Sequence, residues 1–174
     1  GTTLLDTILR SHSKIEVLEE KDSLAQTEST AINSLHRKIS EFNSLQERDL
    51  NMLREIYYAR VKFHSTTKNK LVIDKLPLNI TKIPLINLLF PEAKFIFAVR
   101  HPCDSILSCF QQTFQPNEAM SNFTTLEKSI EFYDHVMQGW LNYNRNLNLC
   151  YTTVKYENLI SNFDEVTLQL LTFL

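Results

Sequence analysis

The apolar residues of this chain fall into two kinds of pattern, helical stripes and short unbroken runs. Leu4, Leu5, Ile8 and Leu9 share one face of a helix predicted over residues 1–11. Glu16 to Lys21 reads as a charged connection. Residues 30–63 read as helical and mostly polar, with one stripe at Leu35, Ile39, Phe42 and Leu45 and a second at Leu50, Leu53, Tyr57 and Val61. Leu71, Val72 and Ile73 form the centre of a short strand predicted over Lys70 to Asp74. Pro84 suits the first turn of a helix carrying Leu85, Ile86, Leu88 and Leu89, which Phe90-Pro91-Glu92 ends. Phe95 to Val99 is apolar at every position, as in a central strand covered on both faces. Pro102 opens the next helix, with Asp104 favourably placed in its first turn. Thr124 and Glu127 suggest a capping box before a stripe of Leu126, Ile130, Tyr133, Met137 and Trp140. Cys150 to Val154 reads as a strand and Phe163 to Leu174 as a helix. Strands alternating with helices predict an α/β fold around a parallel sheet.

Composition narrows the function classes. A length of 174 residues suffices for one domain with a sizeable core. Net charge is −2, so no global basic field points to nucleic acid and any basic function must be local. Two glycines are too few for a complete Gly-rich nucleotide loop. Cys103, Cys109 and Cys150 have neither metal-ligand spacing nor a CxxC pair, and read as reduced thiols of a cytoplasmic environment. No apolar run is long enough to span a membrane, and no signal peptide is visible. The five histidines show no ligand spacing, so no metal site is expected.

The candidate chemistry gathers at strand ends, where open parallel sheets bind ligands. Arg100 follows an apolar strand and offers a planar fork suited to phosphate. Ser108 lies two helical turns further on and can reach the same anion if the helix packs back over the strand end. Lys75 ends the other strand, in Asp74-Lys75-Leu76-Pro77, as a compact cation for developing negative charge. Glu20 could act as a general base toward a hydroxyl. Gly1, Thr2 and Thr3 precede a helix and offer amides and hydroxyls to an anion. Tyr156 follows the last strand and could stack on a base or bond a phosphate. Taken singly, each also has a bland reading as a surface charge, a helix cap or core packing.

The segment from Asp74-Lys75-Leu-Pro77-Leu-Asn79 to Phe95-Ile-Phe-Ala-Val-Arg100-His-Pro-Cys-Asp104-Ser-Ile-Leu-Ser108 resembles the sulfotransferase family. It is most similar to the bacterial branch fused to tetratricopeptide repeats, and to tyrosylprotein sulfotransferases. Gly1-Thr2-Thr3 with the helix after it resembles the tail of that family's phosphosulfate loop. Val154-Lys-Tyr156-Glu157-Asn-Leu-Ile and Leu170-Leu-Thr-Phe-Leu174 resemble its later strand and helix. The resemblance implies a P-loop-like fold with a central parallel sheet, and 3'-phosphoadenosine 5'-phosphosulfate (PAPS) as donor, without a metal. It implies that Gly1, Thr2 and Thr3 bind the 5'-phosphosulfate end, that Arg100 and Ser108 hold the 3'-phosphate, and that Tyr156 lies near the nucleotide. Lys75 matches the family lysine beside the transferring group, and Glu20 matches the catalytic glutamate.

The chain departs from the family pattern in three places. Glu19 stands where relatives usually have glycine, Ser13 follows His12 where they usually have proline, and the first strand with half its loop is not in the sequence. A single sulfotransferase domain truncated at both ends is therefore expected, with residues 21–69 as a helical acceptor-side insertion and efficient catalysis expected of a longer protein. The acceptor could be a sugar, a peptide tyrosine, a lipid or a small alcohol, its pocket shaped by residues 21–69 and by Gln111 to Phe123. Tetratricopeptide repeats are possible fused partners. The bacterial match suggests cytoplasm, and the tyrosylprotein match a Golgi lumen. Two other classes compete: a P-loop nucleotide kinase or NTPase fragment, against which Thr2 stands at the loop-lysine position, and a non-enzymatic helical binding module.

Overall fold

The computed structural model describes residues 2–35, 39–112 and 120–174. The chain divides into two compact units, one over Thr2–Ala93 and one over Lys94–Leu174.

The first unit contains α1 (Thr2–Ser11), β1 (Ile15–Glu19), α2 (Ala25–Ser29), a π turn (Thr30–Ser34), a 3-10 turn (Ile39–Ser44), α3 (Glu47–His64), β2 (Leu71–Lys75), a second 3-10 turn (Pro77–Lys82) and α4 (Ile83–Leu89). β1 and β2 pair in parallel, from Ile15 opposite Leu71 to Glu19 opposite Lys75. This strand replaces the charged connection expected after α1. Ile15, Val17 and Leu18 are buried, so apolar positions and not the interspersed glutamates decide the conformation. Glu16 fits because its carboxylate accepts hydrogen bonds from Thr66 N–H at 2.7 Å and from the Ser65, Thr66 and Thr67 hydroxyls. The strand at β2 is offset by one residue from expectation, which makes Lys75 its last position rather than the residue after it.

In α1 the inward face is Leu5 and Leu9, while Leu4 is exposed. The helical reading of 30–63 holds in broken form. The chain turns through the π and 3-10 pieces before α3, whose start is secured by the Asp49 carboxylate accepting from Gln46 N–H at 3.3 Å. Phe42 and Leu45 of the first stripe and Leu50 and Leu53 of the second point inward: with Ala31, Leu85 and Leu89 they make one core cluster, with Leu35 at its margin. Leu53 and Leu89 are essentially inaccessible, and burying each contributes about 1.5–3 kcal/mol.

The second unit contains β3 (Lys94–Val99), α5 (Pro102–Gln111), a 3-10 turn (Met120–Phe123), α6 (Leu126–Asn146), β4 (Cys150–Lys155), α7 (Tyr156–Ser161) and α8 (Phe163–Phe173). β3 and β4 are parallel, from Lys94 opposite Cys150 to Val99 opposite Lys155. The residues Phe95–Val99 are half-buried, not enclosed on both faces as their composition predicted. Trp140 of α6 covers them in part, stacked on Phe97 with ring centroids 4.1 Å apart. The cap of α6 is Thr125, whose side chain accepts from Lys128 N–H at 3.2 Å, not Thr124, which donates to the Ser121 carbonyl. The buried face of α6 includes Ser129 and Trp140, while Leu126 and Ile130 of the expected stripe are exposed. The last strand runs directly into α7, a helix that the apolar pattern alone did not predict.

Candidate active site

Two groups of predicted residues are brought together, one in each unit. In the first, the parallel register places Glu19 opposite Lys75 at the carboxyl ends of β1 and β2. Glu20 then turns the chain. Its φ is 51°, the left-handed region that side chains other than glycine rarely adopt. Its N–H donates to the Lys75 carbonyl at 2.7 Å, which holds that conformation against the strand end. The Lys75 ammonium, mostly covered, lies 3.2 Å from Glu20 Oε1 and 3.4 Å from Glu19 Oε1. Glu19 is also held by Arg10 at 3.0 Å, and Arg10 in turn clasps the buried Asp6. The Lys75 charge, with Arg10 behind it, keeps the Glu19 carboxyl below the usual carboxylate range.

The residue before Lys75 has a different surrounding. Asp74 accepts from the Tyr57 hydroxyl at 3.2 Å. Burial pushes the Asp74 carboxyl up to about 6, against the opposing pull of the Tyr57 and Ser23 hydroxyls and of Lys82. The same burial, beside that carboxyl, raises Tyr57 well above an ordinary phenol. Sequence reasoning did not single out Asp74 or Tyr57. Seventeen residues separate them, and no local pattern signals a contact of that range.

In the second unit, the paired strands end at Val99 opposite Lys155, and Arg100 and Tyr156 are the residues that follow them. The Arg100 guanidinium stands 4.9 Å from the centre of the Tyr156 ring. Asp104 lies 3.4 Å away on the same side of α5. Arg100 Nε is buried and has no hydrogen-bond partner. A buried donor left unpaired is costly, so this guanidinium, oriented by an aromatic face, is suited to an anionic oxygen. The Glu157 carboxylate accepts from His101 N–H at 2.9 Å at the start of α5, and that bond lowers its pKa. Ser108 is exposed on α5, two turns beyond Pro102, and makes no hydrogen bond to Arg100.

Thr2 and Thr3 open α1, and the Thr3 carbonyl accepts from the Thr7 hydroxyl at 3.0 Å. Gly1, and the greater part of the expected acceptor loop between Gln111 and Phe123, lie outside the described residues. Cys103, Cys109 and Cys150 are free. Among the described residues no group of three or more His, Cys, Asp or Glu side chains is arranged to hold a metal ion. No described helix is long and apolar enough to cross a membrane.

Parallel strands that end in Lys75, and in an arginine stacked on a tyrosine, are features of an α/β protein that handles anionic groups. The chain belongs to the sulfotransferase family, whose sequence model matches residues 1–174. It is also 30% identical over 133 residues to an uncharacterized protein of Aquifex aeolicus (strain VF5), a match covering 71% of this chain and 17% of that protein. The chain thus spans about a sixth of the length of that curated relative. The α/β architecture with short parallel strand pairs is consistent with the P-loop-like fold of sulfotransferases.

Proposed function

We propose that this chain carries the transfer machinery for moving a sulfuryl group from PAPS to a hydroxyl of an acceptor. The observation that carries the reading is the Lys75–Glu20 pair at the carboxyl ends of two parallel strands, in a chain of the sulfotransferase family. Sulfuryl transfer, like phosphoryl transfer, is governed by in-line positioning and by stabilisation of charge on the leaving group. Bound PAPS would supply the sulfuryl group and a phosphate leaving group. Glu20 is the general base that takes the acceptor hydroxyl proton, and Lys75 stabilises the negative charge that grows on the leaving phosphate.

In this reading the Lys75–Glu20 ion pair is the resting arrangement. Each partner exchanges the other for a substrate group during the reaction, so the pair preorganises both. Arg100 supplies its unpaired Nε–H and its outer N–H groups to the donor's 3'-phosphate, with Tyr156 beneath the guanidinium as a rigid support. Ser108 adds a hydroxyl from α5. Gly1, Thr2 and Thr3 bind the 5'-phosphosulfate end at the start of α1. The acceptor is a sugar, peptide tyrosine, lipid or small alcohol.

Calorimetry with adenosine 3',5'-bisphosphate tests the donor side. Binding that Arg100→Ala abolishes supports the reading. Binding by the folded protein that Arg100→Ala leaves unchanged removes it. Transfer of label from PAPS to a panel of hydroxyl acceptors then identifies the acceptor class.

A further inference from the structure

Beside the Glu20–Lys75 pair lies a set of buried polar groups with no assigned role. Asp74 Oδ2 accepts from Tyr57, and Tyr57 is fixed between Phe90, 4.9 Å away, and Tyr58, 5.7 Å away. Asp74 Oδ1 is buried and unpartnered. Ser23 Oγ, on a residue 1% exposed, is also buried and unpartnered. The Ser23 hydroxyl is near enough to favour the ionised Asp74 carboxylate, yet the two do not form a complete hydrogen bond. Ser23 sits three residues after Glu20, and Asp74 immediately before Lys75. Consecutive strand residues face opposite sides, so one side of the β2 end carries the proposed reacting lysine and the other this carboxyl.

We propose that Asp74, held by Tyr57, is a positioning residue that latches the segment carrying Glu20 to the strand end carrying Lys75 through the Ser23 hydroxyl. The ionised carboxylate has an acceptor for each hydroxyl: Tyr57 donates to one oxygen and Ser23 to the other. Closing the second bond draws residues 20–23 onto β2 and satisfies both orphaned atoms. Protonation places a hydrogen on one oxygen, removes the charge that attracts the hydroxyls, and slackens the latch. The charged groups bearing on Asp74 are Asp22, which opposes its ionisation, and Lys82, which favours it. Lys82 is itself shared with Asp22 at 3.6 Å and Glu28 at 3.1 Å. The carboxyl's shift to about 6 puts the change of state within a readily accessible range. The consequence for transfer rests on the reading of Glu20 and Lys75 as the reacting pair; the latch itself does not.

Backbone amide shifts followed by NMR from pH 4.5 to 8 provide the test. The amides of Glu20, Lys21, Ser23 and Lys75 are expected to move together with a midpoint near 6, and to lose that step in Asp74→Asn. Tyr57→Phe and Ser23→Ala each remove a donor to the carboxylate, so each is expected to move the midpoint upward. These two variants decide the matter even where Asp74→Asn fails to fold. A wild-type chain without the step, a step that survives Asp74→Asn, or unchanged midpoints in both donor variants overturns the latch. For transfer from PAPS, an acid limb in kcat near pH 6 is expected in the wild type and not in Asp74→Asn. An unchanged profile overturns the positioning role. An amide step in a protein that turns over no PAPS supports the latch while removing the sulfuryl-transfer reading.

Discussion

Glu20 and Lys75 are joined twice, by a backbone hydrogen bond of 2.7 Å and by a side-chain contact of 3.2 Å. With its amide tied to the Lys75 carbonyl and its φ at 51°, Glu20 sits beside the strand end, and its carboxylate lies over the Lys75 ammonium. A left-handed glutamate costs about 1 kcal/mol relative to glycine. The fold retains that strain at the residue proposed as the base.

Replacing Glu20 separates stability from chemistry. Glu20→Gly relieves the backbone strain, and its Tm is expected to match or exceed that of the wild type. The same variant, like Glu20→Gln, loses the proton acceptor, and transfer from PAPS is expected to fall by about 10²–10⁴-fold. A Tm several degrees lower in Glu20→Gly would show that the ion pair outweighs the strain. Unaltered transfer in Glu20→Gln would remove Glu20 from the mechanism.

Arg100→Ala is expected to weaken binding of adenosine 3',5'-bisphosphate by about 10–100-fold, the loss of one or two charge-assisted hydrogen bonds. Tyr156→Leu keeps the guanidinium and loses the ring beneath it, so a smaller loss is expected. Calorimetric titration of the three proteins gives the ranking. Equal affinities for Arg100→Ala and the wild type would place the 3'-phosphate elsewhere.

Asp74 and Glu16 predict opposite pH dependences. The folded-state pKa of Asp74 is about 6, above its ordinary 3.8, so the folded protein holds a proton that the unfolded chain has released. Its contribution is therefore fully present below pH 4 and is lost as pH rises to about 6. Asp74→Asn removes that loss, and at pH 7 is expected to be more stable than the wild type by about 1–2 kcal/mol, discounted for partial exposure. The advantage should vanish by pH 4. Glu16 behaves in the other sense. Burial pushes it up, but the hydrogen bonds from Ser65, Thr66 and Thr67 outweigh that and hold it at about 2. Its contribution is present above pH 4.5 and is lost as pH falls toward 2, so Glu16→Gln is expected to destabilise at pH 7 and to converge with the wild type in acid. Urea unfolding at pH 4, 5.5 and 7 checks both signs.

Trp140 is 4% exposed, stacks on Phe97 of β3 and meets Tyr151 of β4 edge-on at 5.1 Å. It is the large side chain that ties α6 to the second strand pair. Trp140→Ala is expected to cost about 3–5 kcal/mol. Because Arg100 follows β3 and Tyr156 follows β4, the nucleotide-binding affinity of the variant should fall together with its denaturation midpoint.

Much of this protein was legible in the order of its residues. The α/β class, the strands around Val72, Phe97 and Thr152, and the helices opened by Pro84 and Pro102 all followed from apolar runs and proline positions, and strand-end chemistry singled out Lys75 and Arg100 as candidates. These signals are local, because a run of β-branched residues or a proline acts on its own neighbours. The strand Ile15–Glu19 was hidden because its glutamates made it look like a connection. Only a partner 49 to 51 residues away, the turn at Ser65 to Thr67, neutralises Glu16 and makes a strand there tolerable.

The tertiary structure alone decided which charges meet. The fold set Glu20 on Lys75 and Arg100 on Tyr156. The packing of α3 against the core brought Tyr57 to Asp74, and tertiary packing decided which face of α6 is buried. Such pairings depend on distances between elements far apart in the chain, and a low-dielectric surrounding then sets the pKa of a group such as Asp74. Neither quantity exists until the chain has folded, so the sequence could name Lys75 and Glu20 as candidates but not the burial that the fold gives the Asp74 carboxyl next to Lys75.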